Sequence, residues 1–96
     1  MPYFVYILHS QIFNKYYVGQ CEDVEVRVAR HNNKGVPSTK AYVPWTVVYT
    51  EMFTTRSEAS MREKQIKQMK SRKYIESLIG IGTTRPDFNR GSPQRE

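Results

Sequence analysis

From Pro2 to His9 the chain is apolar or aromatic on both alternating faces, with Tyr3, Val5 and Ile7 on one side and Phe4, Tyr6 and Leu8 on the other. A strand covered on one side only alternates apolar with polar residues, so this run predicts a strand buried on both faces, with structure packed above and below it. A chain of 96 residues has room for a single domain and a modest core around that strand. Its lone cysteine, Cys21, cannot form an internal disulfide, and no Cys and His cluster has the spacing of a structural zinc site. Packing alone must hold the fold.

Ser10 to Lys15, containing Asn14, reads as a hairpin connection into a second, antiparallel strand from Tyr16 to Gly19. Glu22, Asp23 and Glu25 suit the positive end of a helix dipole. In the helix that follows, Val24, Arg27, Val28 and His31 share one face, so two polar groups interrupt its apolar stripe. Asn32 to Pro44 is a long loop with Gly35 and two prolines. A third strand is expected over Trp45 to Phe53, with Trp45, Val47, Tyr49 and Phe53 alternating against Thr46, Val48, Thr50 and Met52. Thr55 and Glu58 form a capping box for a helix to about Met69, whose inner stripe would be Ala59, Ile66 and Met69 with Glu63 beside it. Met61 and Met69 read as packing residues. Ser71 can cap a last helix that turns Ile75, Leu78 and Ile79 inward and stops at Gly80. The expectation is an α/β domain over residues 1–80, a small three-stranded antiparallel sheet flanked by three helices, with residues 81–96 as a loosely held tail.

Fifteen Lys and Arg against nine Asp and Glu give a formal charge of +6, which favours polyanionic partners. No apolar run is long enough to span a bilayer, and Met1 to Gln11 lacks the features of a secretory signal, so a cytoplasmic protein without a membrane role is expected. The positive charge concentrates in Arg62, Lys64, Lys67, Lys70, Arg72 and Lys73. A solvated helical face is one reading of that run. With Lys34, Lys40 and Tyr42 in the long loop, Lys67, Lys70, Arg72 and Lys73 also read as contacts to a nucleic-acid backbone.

Val5-Tyr6-Ile7, then Tyr17-Val18-Gly19, Arg27 ten residues after Tyr17, His31-Asn32, Pro44-Trp45 and Glu63 within Arg62 to Lys67 occur in the order strand, hairpin, strand, helix, loop, strand, helix, helix. From about Tyr3 to Ile79 this resembles the GIY-YIG nuclease family, above all small standalone relatives of the excinuclease nuclease domain. The resemblance implies a catalytic group of Tyr6, Tyr17, Arg27, His31 and Glu63, with Glu63 holding Mg²⁺ or Mn²⁺, Arg27 on the phosphate and Tyr17 taking the proton of the attacking water. It also implies a metal-dependent DNA endonuclease of the repair or recombination type. Gln20 stands where excinuclease relatives often carry a lysine, which removes one positive charge near the phosphate.

Each of these residues has a structural reading as well. The two tyrosines could be amphipathic core, Arg27 could lay its stem over the core, His31 could be a hydrogen-bonded histidine at a helix end, and Glu63 could pair with Lys67. The competing functions are a nucleic-acid-binding module without turnover and an accessory domain that needs a protein partner.

Overall fold

The computed structural model describes residues 2–81. Strands β1 (Tyr3–Ser10), β2 (Lys15–Cys21) and β3 (Thr46–Phe53) form one antiparallel sheet in the order β2-β1-β3. Helix α1 (Val24–Asn32) follows β2, and α2 (Arg56–Met69) and α3 (Arg72–Ile81) follow β3. This is the three-stranded, three-helix α/β arrangement expected from the sequence. The tail expected over residues 81–96 lies outside the described residues, apart from Ile81 at the end of α3.

The two-faced character of β1 organises everything else. Val5 and Ile7 pack on one face with Val18, Tyr49, Ala59, Ile66 and Leu78, a core covered by α2 and α3. Tyr6 and Leu8 pack on the other with Cys21 and Trp45, supported by Val24 and Val28 of α1. Asp23, from the acidic start of α1, caps that helix by accepting from the Val26 N–H, and α2 is capped by the reciprocal Thr55 and Glu58 pair that the sequence indicates. The hydroxyl of Ser71 caps α3 through the Tyr74 N–H.

Four expectations change. The ladder between β1 and β3 slips between Ile7, paired with Tyr49, and Leu8, paired with Val47, so Val48 is an extra residue. Beyond that bulge the alternation breaks. Trp45 packs in the α1-side core and Tyr49 in the core beneath α2 and α3, where unbroken alternation would put them on one face. Met69 is 49% exposed because α2 ends there, Lys70 turning left-handed at φ 48°. With Met61 also exposed, the methionine pair is surface and not packing. Gly80 does not stop α3, which continues to Ile81.

Candidate active site

The buried hydroxyl of Tyr6 lies 3.1 Å from Nε2 of His31, a residue in the last turn of α1 that is itself 1% exposed. On the far side of the imidazole, Nδ1 is 2.8 Å from Thr39 Oγ1. The Thr39 hydroxyl donates its own proton to the Val36 carbonyl at 3.3 Å, so toward His31 it accepts. This fixes the tautomer by the network: Nδ1 carries the proton, and Nε2 accepts from Tyr6. Burial, with Arg27 and Arg30 adding to it, pushes His31 below the ordinary histidine range, in keeping with a neutral ring. Burial also holds the Tyr6 phenol well above the usual tyrosine range, with Tyr17 reinforcing the shift and Arg27 opposing it.

Tyr6 and Gly19 face each other across the β1–β2 ladder. A Cβ at Gly19 would stand 2.6 Å from the Tyr6 hydroxyl and 2.7 Å from the ring carbon that bears it, so only glycine lets this ring cross β2. Tyr17 brings its ring to 4.9 Å from His31 and 6.3 Å from Tyr6, centre to centre. The loop after α1 is tied down at both ends of its span. Asn32 accepts from the Trp45 N–H at 2.6 Å and donates to the Trp45 carbonyl at 3.0 Å, while the Trp45 indole donates to the Thr39 carbonyl at 3.0 Å. These bonds hold Thr39 against His31.

Half-buried Arg27 acts on both Tyr6 and His31 and lines a hollow with Gln20, Cys21 and Arg30. Glu63, with its side chain 20% exposed, forms a 2.6 Å ion pair with Lys67 and lines a groove with Gln20, Ser60, Lys64 and Lys70. Gln20 belongs to both walls, and its amide donates to Ser60 Oγ at 2.5 Å. Tyr6, Tyr17, His31 and Arg27 therefore form one cluster, and Glu63 is reached from it across Gln20 and through Lys67, whose ammonium sits 5.7 Å over the Tyr17 ring. Among the described residues no group of three or more His, Cys, Asp or Glu is placed to hold a metal ion, and Glu63 is the one acid among the residues that line its groove.

The basic residues divide. Lys67 and Lys70 line the Glu63 groove. Arg72 is engaged internally, donating to the Asn14 carbonyl at 3.0 Å and to the Asn14 side chain, pairing with Glu76 at 3.2 Å and lying 4.7 Å over Tyr16. Arg62 leaves the basic face altogether, forked onto Glu51 at 2.8 and 2.9 Å and bonded to Tyr74 at 3.0 Å. Lys34, Lys40 and Lys73 are exposed, whereas Tyr42 is half-buried against Trp45 and Phe13. Thr39 is the contributor that sequence reasoning passed over, while Asn32 was noted only as the neighbour of His31 in the motif. A small polar loop residue carries no local signal of which ring it will meet.

A neutral buried histidine has a consequence for stability. Its folded pKa lies below the unfolded value of about 6.5, so as pH falls through that value the unfolded chain takes up a proton that the folded one refuses. The unfolding midpoint should therefore hold steady above that pH and decline below it, before the carboxylates titrate. His31→Gln should flatten the curve in this window. A parent curve equally flat would overturn the neutral assignment.

The sequence profile of the GIY-YIG catalytic domain matches residues 2–75. The UPF0213 protein SSP2268 of Staphylococcus saprophyticus is 43% identical over 67 residues, covering 69% of this chain and 80% of its own. The UPF0213 protein VNG_2274C of Halobacterium salinarum is 45% identical over 65 residues, covering 67% and 83%. The solution structure of the UPF0213 protein BH0048 from Bacillus halodurans is similar with a TM-score of 0.53 at 32% identity, over 83% of this chain and 84% of that one.

Proposed function

This chain is a member of the GIY-YIG nuclease family, and accordingly we propose that it is a divalent-metal-dependent endonuclease that hydrolyses DNA phosphodiesters, directed by DNA structure or damage in repair or recombination. The observation that carries the proposal is the buried Tyr6–His31–Thr39 relay with Tyr17 and Arg27 against it and Glu63 next to it across Gln20.

A groove with one acid in its lining fits magnesium or manganese, which take one or two protein carboxylates and fill their other positions with water and phosphate oxygens; with no group of three or more ligands among the described residues, it does not fit a fully protein-built cage. Glu63 is the residue that would hold the ion. When bound, such an ion supplies charge neutralisation on the phosphate and a more acidic water. Lys67 now neutralises Glu63. A half-exposed i,i+4 pair of this kind is worth only about 0.5 kcal/mol, so Lys67 can move to a phosphate at little cost.

Arg27 offers a planar fork for two phosphate oxygens. The two tyrosines separate by environment. Tyr6 keeps its proton, because burial disfavours the phenolate and His31 accepts the hydrogen bond. Its part is to orient. Tyr17, half-buried beside Lys67 and packed against the His31 ring, takes the proton of the attacking water in this reading; the contact with the ring and the open wall support that role.

The binding-module reading draws on Gln20, a neutral side chain between Arg27 and Glu63 where a lysine would add charge on the phosphate. Incubating the purified chain with nicked, branched, single-stranded and plain duplex DNA, with and without Mg²⁺ or Mn²⁺, separates the two. Metal-dependent cleavage is expected. Binding that weakens with salt but never leads to cleavage would replace the endonuclease with the binding module.

A further inference from the structure

A second cleft, of about 530 Å³, lies between β2 and the junction of α2 with α3. Since β2 is an edge strand, this is the open flank of the sheet. The rings of Phe13, Tyr16 and Tyr17 line it. Four cations, Lys15, Lys67, Lys70 and Arg72, share the walls, and none of the lining residues is Asp or Glu. Lys67 and Lys70 also line the Glu63 groove, so the two hollows meet along a common rim.

The presentation of Phe13 is the unusual part. Its ring is 48% exposed at the turn between β1 and β2, touched edge-on by Tyr42 at 5.4 Å and included in neither core cluster. The turn beneath it is nevertheless anchored. Asn14 takes the left-handed φ of 54°, the Phe13 N–H donates to Ser10 Oγ at 3.4 Å, and Arg72 grips Asn14 from α3. An apolar ring held fixed in solvent among cations is what a strand of unpaired nucleotides requires, with a π-face for a base and positive charge for its phosphates. Continuous duplex does not offer that match, because the faces of its bases are stacked on one another and only base edges and phosphates reach outward.

We propose that this cleft receives an unpaired stretch of the DNA strand being cleaved, with one base stacked on Phe13 and the flanking phosphates on Lys15 and Lys70. The strand then runs along the shared rim to Glu63. The inference rests on the endonuclease reading and narrows its substrate to DNA with a single-stranded segment beside the scissile bond.

The test uses the full chain carrying Glu63→Gln, with a chelator present, so that DNA is bound and not cut. Affinity is measured for a single-stranded oligonucleotide with 2-aminopurine at successive positions and for the fully paired duplex of the same sequence. Phe13→Ala should weaken single-strand binding about tenfold, the scale of one lost base–aromatic stack, and leave duplex binding unchanged. Phe13→Trp should keep single-strand affinity, and at one position the 2-aminopurine emission should be quenched by the parent ring but not by alanine. Equal weakening for both DNAs, or none for either, overturns the proposal. If neither DNA binds, the endonuclease reading falls with it; if the unaltered protein cleaves while Phe13→Ala binds both DNAs as before, only the cleft assignment is lost.

Discussion

Glu63→Gln is expected to reduce DNA cleavage to background while leaving the protein folded. The amide is nearly isosteric and costs little helix propensity, and the pair it gives up with half-exposed Lys67 contributes only a few tenths of a kcal/mol on a helix surface. A hard divalent cation, by contrast, binds a neutral amide poorly where no second acid stands nearby to compensate, and Glu63 is the one acid lining its groove. Raising Mn²⁺ should restore little. Metal-free binding to DNA should stay level or tighten, because a negative charge leaves a groove walled by Lys64, Lys67 and Lys70. Cleavage at the parent rate under limiting Mg²⁺ would end the metal-site assignment and advance the binding module.

The second large effect comes from one methyl group. Gly19→Ala places a Cβ 2.6 Å from the Tyr6 hydroxyl and 2.7 Å from its ring carbon, inside any real contact, and the ring it meets is 1% exposed and hydrogen-bonded to His31. Either Tyr6 tilts or β2 shifts away from β1. Overpacking of this kind costs about 1–3 kcal/mol, and displacement of the relay should lower turnover by roughly 10². Combining Gly19→Ala with Tyr6→Phe removes one of the two clashing atoms, so the double variant should recover part of the lost stability without recovering activity. Thermal unfolding and single-turnover cleavage measured on the three variants decide the matter. A Gly19→Ala protein as stable and as fast as the parent would show that the close approach has no function.

What could be read from the sequence, and what could not, follows the range of the interactions. Alternation is local, so the double-faced strand from Tyr3 onward and its two cores were visible in the residues themselves. The Thr55 and Glu58 box is closed within four residues and was equally visible. Tyr6, Tyr17, Arg27 and His31 were selected by their order along the chain, and the structure assembles them around one imidazole. A bulge leaves no trace in composition, so the slip at Val48, and with it the separation of Trp45 from Tyr49, was hidden. Arg62 read as one more cation in a basic run because its partner, Glu51, lies on a neighbouring strand. Thr39 was hidden for the same reason, since its meeting with His31 depends on a loop path set by the Asn32 and Trp45 pairing.

Trp45 is the only tryptophan in the chain. It is 3% exposed, its indole donates to the Thr39 carbonyl, and the Tyr17 and Tyr42 rings stand 6.4 Å from it. The protein thus has a native fluorophore built into the clasp that holds His31, while the opposite core beneath α2 and α3 is optically silent at tryptophan wavelengths. Emission excited selectively at the indole reports whether the loop is seated, and far-ultraviolet circular dichroism reports the helices. A substitution that unlatches the relay without melting the domain would separate the two signals, and one that unfolds the whole chain would move them together.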